Sequence, residues 1–145
     1  MTQPFRLLLR VRYGECDAQQ VVFNARYGDY VDVAATEFYR AVFGSYQALV
    51  EQGLDSQVVR MVIDWSAPAR FDDVLRLDVR TLRLGNSSFA LEVDIRRQAD
   101  QSAIARAEVT YVMVDARAFT KVAIPDAIRA RLEQGAPGVL VNQAG

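Results

Sequence analysis

Phe5, Leu7, Leu9, Val11 and Tyr13 alternate with Arg6, Arg10 and Arg12. A period of two with charge on one side predicts a half-buried strand over residues 5–13. The segment GECDAQQVVFNA that follows (Gly14–Ala25) mixes small and polar residues without a period, and predicts a loop leading into a helix. From Asn24 the period changes. Tyr27, Tyr30, Val31, Ala34, Phe38, Ala41 and Val42 recur at three- and four-residue steps, which predicts a long helix with a broad buried face. Asn24 is the candidate N-cap and Gly44 the candidate stop. Residues 46–53 predict a further short helical turn.

Beyond that point the pattern is that of strands. Val58–Trp65 is rich in β-branched residues. Pro68 and RFDD (Arg70–Asp73) predict a turn. Leu75, Leu77 and Val79 then alternate with Arg76, Asp78 and Arg80, but Leu82 and Leu84 fall on the opposite parity, which predicts a bulge or a change of face. Gly85–Ser88 (GNSS) is turn chemistry. Phe89, Leu91, Val93 and Ile95 alternate cleanly, Gln98–Ser102 turns the chain, and Ala103–Val114 reads as a long strand that could lie exposed at a sheet edge. Ile124–Leu132 predicts a short closing helix with Pro125 in its first turn. Hairpin-linked strands make an antiparallel sheet, and one sheet with one long apolar helix makes a two-layer α+β domain. The simplest core wraps the sheet around the helix. This single domain is expected over residues 1–134. The tail 135–145 (GAPGVLVNQAG) reads either as loosely held or as carrying a short edge strand at Val139–Val141.

Composition narrows the chemistry. The 145 residues carry a net charge of -1, which argues against a general nucleic-acid surface. Histidine is absent. A Ser-His-Asp triad, a Cys-His pair and a His-dependent dehydratase site are thereby excluded, and most catalytic zinc sites with them. No metal and no cofactor are expected. Acid–base work falls to carboxylates, Tyr, Cys or the single lysine, Lys121. The lone cysteine, Cys16, forbids an intrachain disulfide and fits a reducing compartment. The N-terminal apolar run is too short for a signal peptide, and no stretch is long enough for a membrane span, so a cytoplasmic protein is expected.

The segment VRYGECDAQQVVFNARYGDYVD (Val11–Asp32) resembles the active-site stretch of the 4-hydroxybenzoyl-CoA thioesterase family and its short-chain acyl-CoA relatives. Tyr13, Gly14, Glu15, Asp17, Val21, Val22, Phe23, Asn24, Ala25, Arg26 and Tyr27 match that pattern. The resemblance extends over about residues 5–132. It implies a hotdog fold, an antiparallel β-sheet wrapped around one long central α-helix. It also implies an acyl-CoA thioesterase working as a homodimer joined edge to edge, or paired into a homotetramer, with the pocket at the subunit interface. One departure stands out. The family usually carries a small residue, most often Gly, two or three positions after the Asp, whereas this chain has Gln19–Gln20. A side chain at Gln20 either crowds the thioester or adds a hydrogen bond to it.

The resemblance makes Asp17 the essential carboxylate, as nucleophile or as general base. It assigns the oxyanion hole to backbone N–H groups at the start of the helix, around Phe23, Asn24 and Ala25. The helix dipole acts in the same direction. Coenzyme A needs surface donors for its phosphates, and by family position these are Arg70, Asn86, Ser87 and Ser88. Gln20 and Tyr27 are further substrate-binding candidates, although helix aromatics more often belong to the core. Each candidate has an ordinary alternative: a capping or loop aspartate, or a solvated turn. Cys16 is expected to face away from Asp17. Glu15 is expected to orient the loop or pair with an arginine. Glu37, the helix carboxylate that another hotdog group would use, reads as a solvated residue. The competing functional reading is a non-catalytic hotdog module that binds an acyl thioester or a protein partner.

Overall fold

The computed structural model describes residues 3–145. Strand β1 (Phe5–Arg10) buries Phe5, Leu7 and Leu9, as the alternation requires. It ends earlier than expected: Val11 is still buried, but Tyr13 sits in a 3-10 turn (Tyr13–Glu15) and is 80% exposed. Two-residue periodicity cannot distinguish a strand from the turn that follows it. Helix α1 (Arg26–Phe43) buries Tyr27, Tyr30, Val31, Ala34, Ala35, Phe38, Tyr39, Val42 and Phe43. Ala41, assigned to that face from the sequence, lies outside it and is exposed. The N-cap is Ala25 rather than Asn24, and no side chain caps it. Gly44 ends the helix as predicted: at φ +87 its N–H returns to the Arg40 carbonyl, a backbone conformation that favours glycine. A one-turn helix α2 (Ala48–Glu51) follows.

Strands β2 (Leu54–Trp65), β3 (Val74–Leu84), β4 (Ser88–Arg97) and β5 (Ala103–Asp115) pair in antiparallel fashion. The parity switch in β3 is a bulge: Thr81 pairs with Leu91 and Arg83 with Ala90, leaving Leu82 between them. Helix α3 (Asp126–Gln134), capped by Pro125, buries Ile128 and Leu132. The tail takes the edge-strand alternative. β6 (Leu140–Asn142) runs parallel to β1, and the Gly138 N–H bonds to the Gln3 carbonyl. The six-stranded sheet has the order β2-β5-β4-β3-β1-β6. β5 is therefore internal, and the apolar edge is β2, where Val58, Val59, Met61 and Trp65 are exposed. The long strand at 103–115 is not the edge because β2 is itself twelve residues long and covers it.

Helix α1 packs on β1, β3 and β4. Phe38 is fully buried, edge-on to Phe5 with ring centroids 5.7 Å apart. Each large side chain buried this way contributes about 1.5–3 kcal/mol. The other face of the sheet is lined with charge, including Arg6–Asp78, Arg106–Glu92 and Arg83–Glu108 pairs. This hydrophobic helix face on the inner side of a mostly antiparallel sheet is the hotdog architecture. It leaves the connection from β1 to α1 exposed at one end of the sheet, next to the turn before β3.

Candidate active site

The connection between β1 and α1 is a small irregular hairpin. Its first arm is pinned at the base by Glu15, which is buried. One Glu15 carboxylate oxygen accepts from the Arg12 N–H (2.7 Å) and the Tyr30 hydroxyl (2.9 Å). The other accepts from the Arg12 guanidinium (2.8 Å). Burial by itself would raise the Glu15 carboxyl, but these donors together hold it below the usual glutamate range. Burial, then the bond to Glu15, pushes the Tyr30 hydroxyl up, so it stays a donor. The arms pair through Cys16 opposite Val22, through the Asp17 N–H to the Val21 carbonyl (2.9 Å), and through the Phe23 N–H to the Glu15 carbonyl (2.9 Å). The second arm docks on the turn before β3, where the Val22 N–H bonds to the Ala69 carbonyl and Val21 pairs with Arg70.

Asp17 stands at the hairpin tip, half-buried. Its Oδ1 accepts the Gln19 N–H at 2.8 Å, which fixes the carboxylate as an Asx turn does. Its Oδ2 accepts nothing from the described residues. The carboxylate borders a cavity of about 440 Å³, with Tyr13, Cys16, Gln20, Arg70 and Phe71. Tyr13 and Phe71 form its aromatic rim, edge to face at 5.7 Å. Both were missed as site residues: alternation put Tyr13 in the core, and Phe71 lay unremarked inside a charged turn. The Arg70 guanidinium is exposed and forms no ion pair among the described residues, while its N–H is held by Asp73. Gln20 adopts φ +66, the left-handed region that glycine enters without strain.

Cys16 borders the same cavity, contrary to the expectation that it faces away, because the hairpin is too irregular for strict alternation. Its thiol is pushed up, by burial first and then by the neighbouring charges of Glu15, Asp17 and Asp73, which disfavours a thiolate nucleophile.

Of the three N–H groups expected to be free at the helix start, those of Phe23, Asn24 and Ala25, the first is taken. The Phe23 N–H is engaged by Glu15, so it is not free. The N–H groups of Asn24 and Ala25 have no acceptor among the described residues and stand directly before the first turn of α1. Asn24 and Tyr27 border a second groove of about 320 Å³ with Trp65 and Ser66–Pro68. Tyr27 is a core residue at the groove floor, with its hydroxyl accepting from the Ala69 N–H at 3.3 Å and its ring edge-on to Trp65.

Asn86, Ser87 and Ser88 are not brought to Asp17. They lie at the opposite end of β3 from Arg70, roughly 30 Å away along an eleven-residue strand. Their carbonyls serve the fold, accepting from Ile124 and Met113. Glu37 is paired with Arg40 at 2.6 Å and borders a different groove, with Asp32, Val33 and Thr36. No group of His, Cys, Asp and Glu among the described residues can hold a metal ion, and no helix is long and apolar enough to cross a membrane.

Comparison with known proteins agrees with this architecture. Residues 11–132 match the thioesterase-like superfamily. The acyl-CoA thioester hydrolase YbgC of Escherichia coli O6:H1 is 32% identical over 133 residues, covering 92% of this chain and 98% of that protein. Among solved structures, a hypothetical protein of Aquifex aeolicus is 26% identical with a TM-score of 0.81 over 89% of this chain and 99% of its own. The probable thioesterase YbaW of Escherichia coli is 25% identical with a TM-score of 0.79, over 90% of this chain and 98% of its own. The chain belongs to the thioesterase-like superfamily and is a thioesterase of the hotdog fold.

Proposed function

We propose that this thioesterase hydrolyses an acyl-CoA, with Asp17 as the essential carboxylate and the Asn24 N–H as the principal oxyanion donor. The observation that carries the reading is an Asp17 carboxylate with one oxygen unbonded among the described residues, bordering a cavity on a hairpin whose other arm ends in an unbonded N–H at a helix start. As a general base, Asp17 takes a proton from water while the oxygen adds to the thioester carbon. The oxyanion forms against Asn24, and collapse expels the CoA thiolate, which recovers the proton. As a nucleophile, Asp17 adds to the thioester carbon and the C–S bond breaks, giving an acyl anhydride and the CoA thiolate; water then opens the anhydride, which returns the Asp17 carboxylate, releases the acid and supplies the proton that the thiolate takes up. Neither route needs histidine or a metal. The name of the YbgC relative supports CoA as the carrier. Arg70, unpaired beside the cavity, suits a CoA phosphate.

The working unit we propose is a homodimer formed along β2, which pairs into a tetramer if a second face is used. β2 has one unpaired edge and exposes apolar side chains along it. Such an edge is a liability unless it is covered. Trp65, at its end, borders the Asn24 groove, so a second copy would complete that groove. The turn at Asn86, Ser87 and Ser88 can hold CoA only if it belongs to such a second copy. The single cysteine supports a cytoplasmic location.

The test is thiol release from short, medium, long and aromatic acyl-CoAs by wild type and Asp17→Asn, which keeps the Asx acceptor and removes the charge. The expected loss in kcat is about 100-fold or more. Equal turnover by both proteins would reduce Asp17 to the loop-capping role that its bond to Gln19 already gives it.

A further inference from the structure

Glu15 ties both arms of the hairpin to the central helix through its main chain and its side chain together. Its carboxylate is fixed by the Arg12 N–H, the Arg12 guanidinium and the hydroxyl of Tyr30 on α1. Its carbonyl accepts the Phe23 N–H from the opposite arm. Asp17 lies two residues after Glu15, and Asn24 lies one residue after Phe23. The same carbonyl also decides which donor is left over, because taking up the Phe23 N–H makes Asn24 the first unbonded N–H before α1.

We propose that Glu15, held by Tyr30, is a positioning residue that sets the separation between the Asp17 carboxylate and the Asn24 oxyanion donor; this rests on the function proposed above. The Arg12 partner is peripheral to the role, since its side chain is 82% exposed and its charge is screened by water. The Tyr30 hydroxyl is the deeper anchor, since it is buried and is the one link from this carboxylate to α1. When that bond is removed, the carboxylate of residue 15 is held only from within its own turn, and beyond that turn residue 15 keeps its main-chain bond to Phe23. Its carbonyl, and with it the Phe23 arm, then moves relative to the helix. Misplacement by about 1 Å at a reacting pair can cost on the order of 100-fold in rate without changing what binds.

The experiment compares wild type, Tyr30→Phe, Glu15→Ala and Glu15→Gln by steady-state hydrolysis of the best acyl-CoA in the panel. Circular dichroism melts serve to establish that each variant is folded. Tyr30→Phe removes one oxygen atom and keeps the packed ring, so it should fold. The expected result is a kcat loss of at least about tenfold in Tyr30→Phe and Glu15→Ala, with KM within about threefold. Glu15→Gln keeps length and acceptor, and should restore kcat to within about threefold of wild type. A lowered melting temperature in Tyr30→Phe with unchanged kcat would show a merely structural bond and overturn the proposal. A rise in KM with constant kcat would overturn it as well. The two proposals fail differently: wild type inactive on every acyl-CoA removes the proposed function and this role with it, whereas active wild type and active Tyr30→Phe remove only this role.

Discussion

The oxyanion assignment rests on one backbone N–H, and proline can delete that group almost alone. The Arg26 N–H bonds to the Phe23 carbonyl at 2.8 Å, so residues 23–26 form a β-turn that runs into α1, with Asn24 at its second position. Ala25, the third, has φ -67 and ψ -20. In a type I turn the second position is where proline is favoured. The Asn24 N–H has no acceptor among the described residues, so Asn24→Pro breaks no hydrogen bond of the fold. Phe23 lies in the second hairpin arm, with its N–H on the Glu15 carbonyl, and a residue before proline prefers an extended backbone. Stability should therefore change by less than about 1 kcal/mol, with the lower entropy of the unfolded chain acting in favour of the variant. Activity should fall far more. Losing one preorganised oxyanion donor costs about 2.7–4 kcal/mol, or 100- to 1000-fold in kcat. Asn24→Ala is the control, because it keeps the N–H and deletes the side chain. Turnover and a urea melt on both variants decide the matter. Asn24→Ala should stay within severalfold of wild type while Asn24→Pro loses two to three decades. If Asn24→Ala loses as much as Asn24→Pro, the side-chain amide is the donor and the backbone argument is wrong. If a folded Asn24→Pro keeps full activity, the donor lies elsewhere.

Other perturbations test other parts of the site. Arg70→Gln should raise KM for an acyl-CoA by about tenfold while leaving kcat nearly unchanged, as expected for uniform binding of a phosphate; an unchanged KM would free Arg70 from that role. Met61→Glu on the β2 edge should lower the mass measured by sedimentation to that of one chain and reduce activity with it, and an active monomer would refute the proposed working unit. The Glu15 carboxyl lies below the ordinary value in the folded state, so its ionised form stabilises the fold. That contribution is present above the unfolded value of about 4.3 and is lost as pH falls through the lower folded value. Melting temperature should therefore drop on acidification below about pH 4.3, less steeply in Glu15→Gln than in wild type; identical slopes would show that Glu15 carries none of the acid sensitivity. Phe38→Ala should cost about 3–5 kcal/mol in a urea melt, since the ring is fully buried against Phe5.

The fold was legible wherever burial is regular. Phe89, Leu91, Val93 and Ile95 face the core in the order their alternation predicts, and the parity switch at Leu82 is a bulge. The helix face was legible for the same reason from Tyr27 to Val42, except at Ala41, which lies outside it. What could not be read was order in space. Nothing in the pattern of β5 says that β2, rather than β5, lies at the edge, because both are long and apolar and their ranking depends on pairing. The site was legible as a segment and not as a geometry. A motif locates Asp17 and the helix start, but whether the N–H of Phe23 or of Asn24 is free depends on a cross-arm bond to the Glu15 carbonyl, which leaves no mark on side-chain identity. Tyr13 shows the opposite failure: its parity fitted a strand, while the turn beginning at Tyr13 turned its ring into the cavity rim.

The departure at Gln20 has a conformational side that its side chain conceals. A side chain there either crowds the thioester or adds a hydrogen bond to it, and Gln20 does border the cavity. Its φ of +66 gives a further reason why a glycine suits that position: the turn that closes the hairpin demands a left-handed residue. An L residue held there costs about 1–2 kcal/mol. The cost is tolerated because the turn is over-determined, with the Gln20 N–H on the Asp17 carbonyl and the Gln19 N–H on the Asp17 carboxylate. The two oxygens of Asp17 are thus separated: one is spent on the fold and the other is free for the role proposed above. Oδ1 holds the strained turn, and Oδ2 is left at the cavity. If Asp17 is the working carboxylate proposed above, a chain without histidine has to fix it by something other than an imidazole, and in this hairpin the Gln19 N–H supplies that constraint.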